Sequence, residues 1–207
     1  MHKKNLLVGY RVFFSLLGFS AIVTELAVLI ERGRLVPSNF FSFFTIESNL
    51  FAVVILLVSA LALTQGGQSR VVAMLRGANT INMVVVGVVF TLLLSGVKEV
   101  EFTAVPWDNM VLHYIMPAVV VLDWFLDIPK RRVGFRHALV WLAFPIAYVA
   151  YSLVRGHIVG WYPYPFLNPG EHGYMGVAIT SITLAFGVIV LAWILAWSTR
   201  RGAVKKA

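Results

Sequence analysis

Cysteine is absent from the 207 residues of the chain, which excludes disulfide bonds, thiolate nucleophiles and cysteine-based metal sites. Charged residues make up only 13%, whereas soluble domains have about 25%. The sequence also lacks a Gly-x-Ser-x-Gly nucleophile elbow, a glycine-rich phosphate loop and a His-Glu-x-x-His zinc motif. The usual sequence signatures of serine esterases, nucleotide-binding enzymes and zinc hydrolases are therefore missing.

Hydrophobic residues are in excess, at 59% with a mean hydropathy of +0.84. Soluble domains have about 45–50%, and a membrane-spanning helix needs about 20 mostly apolar residues. Six segments meet this need: 8–30, 41–63, 79–97, 109–126, 137–153 and 174–197. The sequence predicts an all-α, polytopic membrane protein whose residues 1–207 form one six-helix transmembrane domain. No small-residue cleavage site follows the first segment, so we expect no removed signal peptide.

Lysine and arginine are distributed unequally between the two sides of the predicted bundle, and such a bias sets membrane orientation. One side receives thirteen: Lys3, Lys4, Arg11, Arg70, Arg76, Lys130, Arg131, Arg132, Arg136, Arg200, Arg201, Lys205 and Lys206. The other side receives four: Arg32, Arg34, Lys98 and Arg155. We therefore expect both termini in the cytoplasm. The net charge of +8 is assigned to this orientation signal rather than to nucleic-acid binding.

Polar side chains gather on one face at the start of the second predicted span. Thr45, Ser48 and Asn49 stand at i, i+3 and i+4 of a helix. Ser42 lies one turn earlier on the same face, and Glu47 points elsewhere. Polar residues inside a membrane are costly unless they are paired or used. Two interpretations stay open: contacts that hold helices together, or a chemical site.

A second polar position, His113, lies at a depth that matches Thr45. Each residue is four positions past the predicted outer end of its span, which is about 6 Å along a helix axis. A hydroxyl nucleophile needs a base within hydrogen-bond reach, and this pair is suited to those roles. Asn109 shares a helix face with His113. We expect Glu25, in the outer half of the first span, to pair helices, with orientation of the histidine as the alternative.

The last outer loop, residues 156–170, is rich in proline and aromatic residues. Trp161, Tyr164 and Phe166 suit either of two roles. Aromatic residues anchor membrane proteins at the headgroup level. A stiff aromatic loop is also typical of a rim over a pocket that opens among the outer helix ends.

Three short segments, taken together, resemble a known family. They are Phe44-Thr45-Ile46, then His113 with Asp123 ten residues later, and Tyr164-Pro165-Phe166-Leu167. The chain is similar to the androgen-induced family of multi-span membrane threonine hydrolases and to its small six-span bacterial relatives. Characterised mammalian members hydrolyse fatty acid esters of hydroxy fatty acids with a membrane threonine and a membrane histidine. The resemblance implies these roles for Thr45 and His113, in a bacterial cytoplasmic membrane.

The expected function is that of an intramembrane lipid-ester hydrolase with its site toward the outer leaflet. Thr45 is the expected nucleophile and His113 the base, and neither needs a cofactor or metal. Substrate contacts are expected from Ser48, Asn49, Asn109, Trp161, Tyr164 and Phe166, of which the first three are candidate donors to an oxyanion. The expected partners are a lipid ester and the bilayer. A transporter or lipid-binding protein with an outer polar site is the alternative, and a purely structural bundle is a third reading.

Overall fold

The fold is all α-helical, with no strand in residues 2–67, 69–96 and 103–204, the part that the computed structural model describes. Six helices are long and apolar enough to cross a membrane. They are α1 (His2–Glu31), α2 (Phe44–Thr64), α3 (Arg70–Leu94), α4 (Pro106–Leu126), α5 (Phe135–Val159) and α6 (Pro169–Arg200). The predicted all-α class and the six membrane-length helices are confirmed, whereas membrane insertion and the side of the termini stay predictions.

Several helix bounds differ from those predicted. The third helix begins at Arg70 rather than at residue 79, because the Ser69 side chain caps it by accepting a hydrogen bond from the Val72 N–H at 3.2 Å. The second begins at Phe44 rather than at residue 41, because a short helix, Pro37–Phe40, precedes it and a turn follows. Thr45 therefore lies in the first turn of α2. Four residues of the sequence predictions, Val97, Lys98, Lys205 and Lys206, lie outside the described residues.

The chain forms two compact units, residues 1–131 and 132–207, and a single domain stays a prediction. The first unit contains α1 to α4. Its core includes Ile22, Leu56, Met83 and Leu112, all nearly or fully buried. Small residues allow close helix approach: a Cβ at Gly87 of α3 would lie 3.1 Å from Pro117 Cβ of α4. These contacts hold the four helices close together.

Four charged residues, three of them buried and Asp127 partly exposed, form a cluster in the first unit, where α1 and α3 begin and α2 and α4 end. Arg11 donates from Nε to Asp123 Oδ1 at 2.6 Å, and its second terminal nitrogen reaches Asp127 Oδ2 at 2.9 Å. Arg76 donates to Asp123 Oδ2 at 2.7 Å. We call Arg11, Arg76, Asp123 and Asp127 the ion-pair cluster. The sequence prediction had counted both arginines toward the basic side of the bundle, with Arg11 inside the first predicted span and Arg76 before the third. The structure buries both of them in ion pairs with Asp123 and Asp127.

The second unit contains α5, α6 and the segment between them. The left-handed Gly160, at φ 69°, ends α5, and the chain then turns back so that Tyr162 covers Gly156. A β-carbon at Gly156 would overlap the Tyr162 ring. The Thr199 hydroxyl oxygen accepts from the Val133 N–H at 3.0 Å, which joins the residues before α5 to the end of α6.

Candidate active site

The site is built around Thr45 of α2 and His113 of α4, whose side chains meet inside the first unit. Thr45 Oγ1 lies 3.3 Å from His113 Nε2. The two residues are 7% and 3% exposed, so the contact is almost fully shielded from solvent. The structure thus brings together two side chains that are far apart in sequence.

The second ring nitrogen of His113 shows which nitrogen is free to accept a proton. His113 Nδ1 lies 3.2 Å from the backbone oxygen of Asn109. A carbonyl oxygen can only accept a hydrogen bond, so this contact assigns the ring proton to Nδ1. Nε2 then carries the lone pair toward the Thr45 hydroxyl. This tautomer is the one that a general base beside a nucleophile requires.

His113 lies in a π-helical stretch, Val111–Ile115, that interrupts α4. Pro117 has no N–H to donate to the His113 carbonyl, so the normal i→i−4 ladder cannot continue through this turn. The imidazole ring is stacked on Phe90 of α3, with ring centroids 3.8 Å apart and planes at 23°. Backbone and ring stacking together hold the ring's orientation. π-Helical turns of this kind are often found at functional sites.

Asn49 connects the two helices beside the contact. Its amide nitrogen donates to the Thr45 oxygen at 2.9 Å and to the Leu112 oxygen at 3.2 Å. These bonds use both amide hydrogens, so Asn49 has none left for an oxyanion. In this arrangement Asn49 holds α2 against α4, and its contact with substrate stays a prediction. Ser48, which is fully buried, keeps a hydroxyl with no hydrogen-bond partner among the described residues.

Glu25 and Asn109, two further residues of the sequence prediction, make contacts at or just before the start of α4. Glu25 Oε2 accepts from the Ala104 N–H at 2.7 Å, and Asp108 in the first turn of α4 is fully buried. Glu25 thus binds the segment before α4 and not the imidazole, which departs from the alternative that it orients His113. Asn109 contacts His113 through its backbone oxygen, while its side-chain oxygen has no hydrogen-bond partner in the described chain.

The predicted loop residues lie in the second unit and pack there. The Arg155 guanidinium lies 4.9 Å from the Trp161 ring centroid. Tyr164 and Phe166 are stacked with centroids 5.3 Å apart, and Tyr164 is buried beside Tyr148 of α5. The loop is therefore ordered by its own helices. Contact of its residues with substrate stays a prediction.

Sequence reasoning missed three features of this site: the Phe90 stack, the anchoring of Nδ1 by a backbone oxygen, and the use of Asn49 between helices. One signal was available for the π-helical turn, since Pro117 follows His113 by four positions. The ring stack had no signal, because Phe90 is one of fifteen phenylalanines in an apolar chain.

The described residues contain no group of three or more histidine, aspartate or glutamate side chains arranged to hold a metal ion. No family model, curated protein or solved structure matches the chain. The resemblance to the membrane threonine hydrolases therefore stays a prediction carried by the residues themselves.

Proposed function

We propose that this protein is an intramembrane lipid-ester hydrolase in which Thr45 is the nucleophile and His113 the general base. The observation that carries the proposal is the 3.3 Å contact between Thr45 Oγ1 and His113 Nε2. The bond from His113 Nδ1 to the Asn109 oxygen supports it, because it leaves Nε2 free to take the hydroxyl proton. The apo separation is long for a hydroxyl hydrogen bond, and such contacts shorten when substrate binds.

The proposed reaction has two stages. Thr45 Oγ1 forms a bond to the ester carbonyl carbon as its proton moves to His113 Nε2. The bond from carbon to the alcohol oxygen then breaks, and His113 returns the proton to that oxygen, which releases the alcohol. Water next attacks the acyl-threonine, and its proton passes through His113 to Thr45. The acid leaves, and both residues recover their starting states.

The surroundings favour a lipid ester over a water-soluble one. Phe44 and Leu112 are buried beside Thr45 and His113 in sequence, and Phe90 covers the imidazole ring. These apolar side chains are suited to contact with acyl chains. A site shielded from water also strengthens the electrostatic contacts that stabilise a transition state. Fatty acid esters of hydroxy fatty acids are the substrates that the family resemblance suggests.

The proposed location is a bacterial cytoplasmic membrane, with the Thr45–His113 contact toward the outer leaflet and both termini inside. Six membrane-length helices support the multi-pass arrangement. The lysine and arginine bias supports the orientation. Because Arg11 and Arg76 are buried in ion pairs, we leave them out of that count, and eleven basic residues against four remain.

A fluorophosphonate probe tests the proposal on detergent-purified protein. The wild-type chain and Thr91→Ala should become labelled, and Thr45→Ala and His113→Ala should not. Thr91 is the matched control, since it is an exposed helical threonine whose hydroxyl donates to the Gly87 oxygen at 2.7 Å. Equal labelling of Thr45→Ala and wild type would exclude Thr45 as the nucleophile. An unlabelled wild-type chain that binds lipid without cleaving it would favour the transporter or lipid-binding alternative.

A further inference from the structure

Ser48 is a buried hydroxyl that the contacts of the first unit leave unused. It lies three residues after Thr45 in α2 and is 0% exposed. Its Oγ has no hydrogen-bond partner among residues 2–67, 69–96 and 103–204. An unpaired polar group in a protein interior is unfavourable, so such a group calls for an explanation.

Other helical hydroxyls of the first unit show what Ser48 does not do. Thr80 donates to the Arg76 oxygen at 2.9 Å, and Thr91 donates to the Gly87 oxygen at 2.7 Å. Each thus bonds to a carbonyl four residues earlier, which is the usual solution for a hydroxyl in an apolar helix. The same solution for Ser48 would be the Phe44 oxygen, yet no such bond forms. Its donor hydrogen is therefore available to a ligand.

One neighbouring candidate for the same task has no free donor, and the other lies on a different helix. Asn49 spends both amide hydrogens on the Thr45 and Leu112 carbonyl oxygens. Asn109 lies on α4, and its backbone oxygen holds the His113 ring. Of the three residues predicted to bind an oxyanion, Ser48 is the one on the face of Thr45 with an uncommitted hydroxyl.

The spacing within α2 suits a donor to the reacting carbonyl. Side chains at i and i+3 have β-carbons about 5–6 Å apart on one helix face. A carbonyl carbon bonded to Thr45 Oγ1 would hold its oxygen between the two residues, within reach of a hydroxyl on Ser48. The N-terminus of α2 adds partial positive charge at this level, which also favours a negative oxygen.

We propose that the Ser48 hydroxyl donates a hydrogen bond to the oxyanion that forms when Thr45 attacks an ester. This inference rests on the proposed hydrolase function. Such a bond strengthens as charge develops on the oxygen, so its removal lowers kcat more than it changes KM. Loss of one oxyanion donor typically lowers kcat by about 10²–10³-fold.

The experiment compares Ser48→Ala with Ser59→Ala in hydrolysis of a long-chain p-nitrophenyl ester by purified protein. Ser59 is the matched control, because it also lies in α2, is 0% exposed and has an Oγ with no partner in the described residues. Ser48→Ala should lower kcat by about 10²-fold or more with KM nearly unchanged. Ser59→Ala should keep the wild-type kcat. Both should have melting temperatures close to the wild type, since neither change breaks a hydrogen bond of the folded protein.

Two further variants make the result decisive. Ser48→Thr keeps the hydroxyl and should recover part of the lost kcat, whereas Ser48→Cys keeps the size with a weak donor and should not. Wild-type kcat in Ser48→Ala or Ser48→Cys, together with inactive Thr45→Ala, overturns the role of Ser48 and leaves the nucleophile standing. Wild-type kcat in Thr45→Ala overturns the hydrolase proposal itself.

Discussion

Two buried polar clusters occupy opposite helix ends of the first unit, and they differ in how completely they are bonded. In the ion-pair cluster, all three guanidinium nitrogens of Arg11 and of Arg76 donate to carboxylate or backbone oxygens. At the other end, the Thr45–His113 contact is accompanied by polar atoms of Ser48, Asn49 and Asn109 that have no partner in the described chain.

The difference separates a structural polar site from one suited to chemistry. In the ion-pair cluster every guanidinium nitrogen is bonded within the fold, and its contribution is to hold α1, α3 and α4 together. An incompletely bonded cluster is unfavourable in the folded protein. Polar groups without hydrogen-bond partners are expected where a protein binds a ligand or catalyses a reaction. Unused hydrogen-bonding capacity, more than polarity itself, distinguishes the residues around Thr45 and His113 from the four residues of the ion-pair cluster, although the Ser59 hydroxyl beside that cluster is also unpaired among the described residues.

The largest expected effect is on catalysis. Thr45→Ala or His113→Ala should each lower kcat for a long-chain ester by at least about 10³-fold, because nucleophile and base act as one unit. The double variant should be little worse than either single one. Thr45→Ser should keep measurable activity, since it retains the hydroxyl. Independent, multiplicative losses in the double variant would contradict a shared mechanism.

The second effect is on stability, at the ion-pair cluster. Asp123→Ala leaves two buried guanidinium groups without their main counter-charge and should lower the free energy of unfolding by about 3–5 kcal/mol. Thermal unfolding in detergent measures it. Thr45→Ala should stay near the wild-type melting temperature under the same conditions. If the two variants were equally destabilised, the division into a structural and a chemical cluster would be wrong.

A smaller effect is expected at Glu25, which binds the segment before α4. Glu25→Ala removes the acceptor of the Ala104 N–H and should cost about 1–3 kcal/mol of stability, because a partly buried donor is left unpaired. Glu25→Gln keeps a side-chain oxygen and should be milder. Ester hydrolysis should fall in parallel with stability. Wild-type melting temperature and activity in Glu25→Ala would show that this bond does not position α4.

The smallest perturbation tests which cluster faces outward. The chain has no native cysteine, so one introduced thiol is the sole target. Ser38→Cys lies in the exposed segment before α2, near the Thr45 end, and Gln65→Cys lies after α2, at the other end. In intact cells an impermeant maleimide should label the first and not the second, with activity unchanged in both. The reverse pattern would place the Thr45–His113 contact toward the cytoplasmic side.

The sequence by itself determined the number of the long helices. A long apolar segment in a membrane forms a helix because a helix satisfies the backbone hydrogen bonds within the segment. It also predicted that Thr45 and His113 lie at the same depth. Their two spans run in the same direction, and each residue is four positions after the predicted start of its span. The depth of a residue along a helix can be predicted from its distance in sequence to the helix start. The helix start at Arg70 was missed, because the predicted span was limited to the apolar residues that follow Arg76, and the sequence does not show that Arg76 is paired with Asp123.

Only the tertiary structure decided which polar atoms are consumed by the fold and which are left over. Ser48 and Asn49 are adjacent in sequence and were equally good donors on paper. Asn49 donates to the Thr45 oxygen of its own helix and, because α2 packs against α4, to the Leu112 oxygen, whereas the Ser48 hydroxyl has no partner among the described residues. The burial of Arg11 was equally undetermined, because an arginine near a helix end is exposed unless a carboxylate from another helix reaches it. Such outcomes depend on contacts between residues remote in sequence, which no local pattern records.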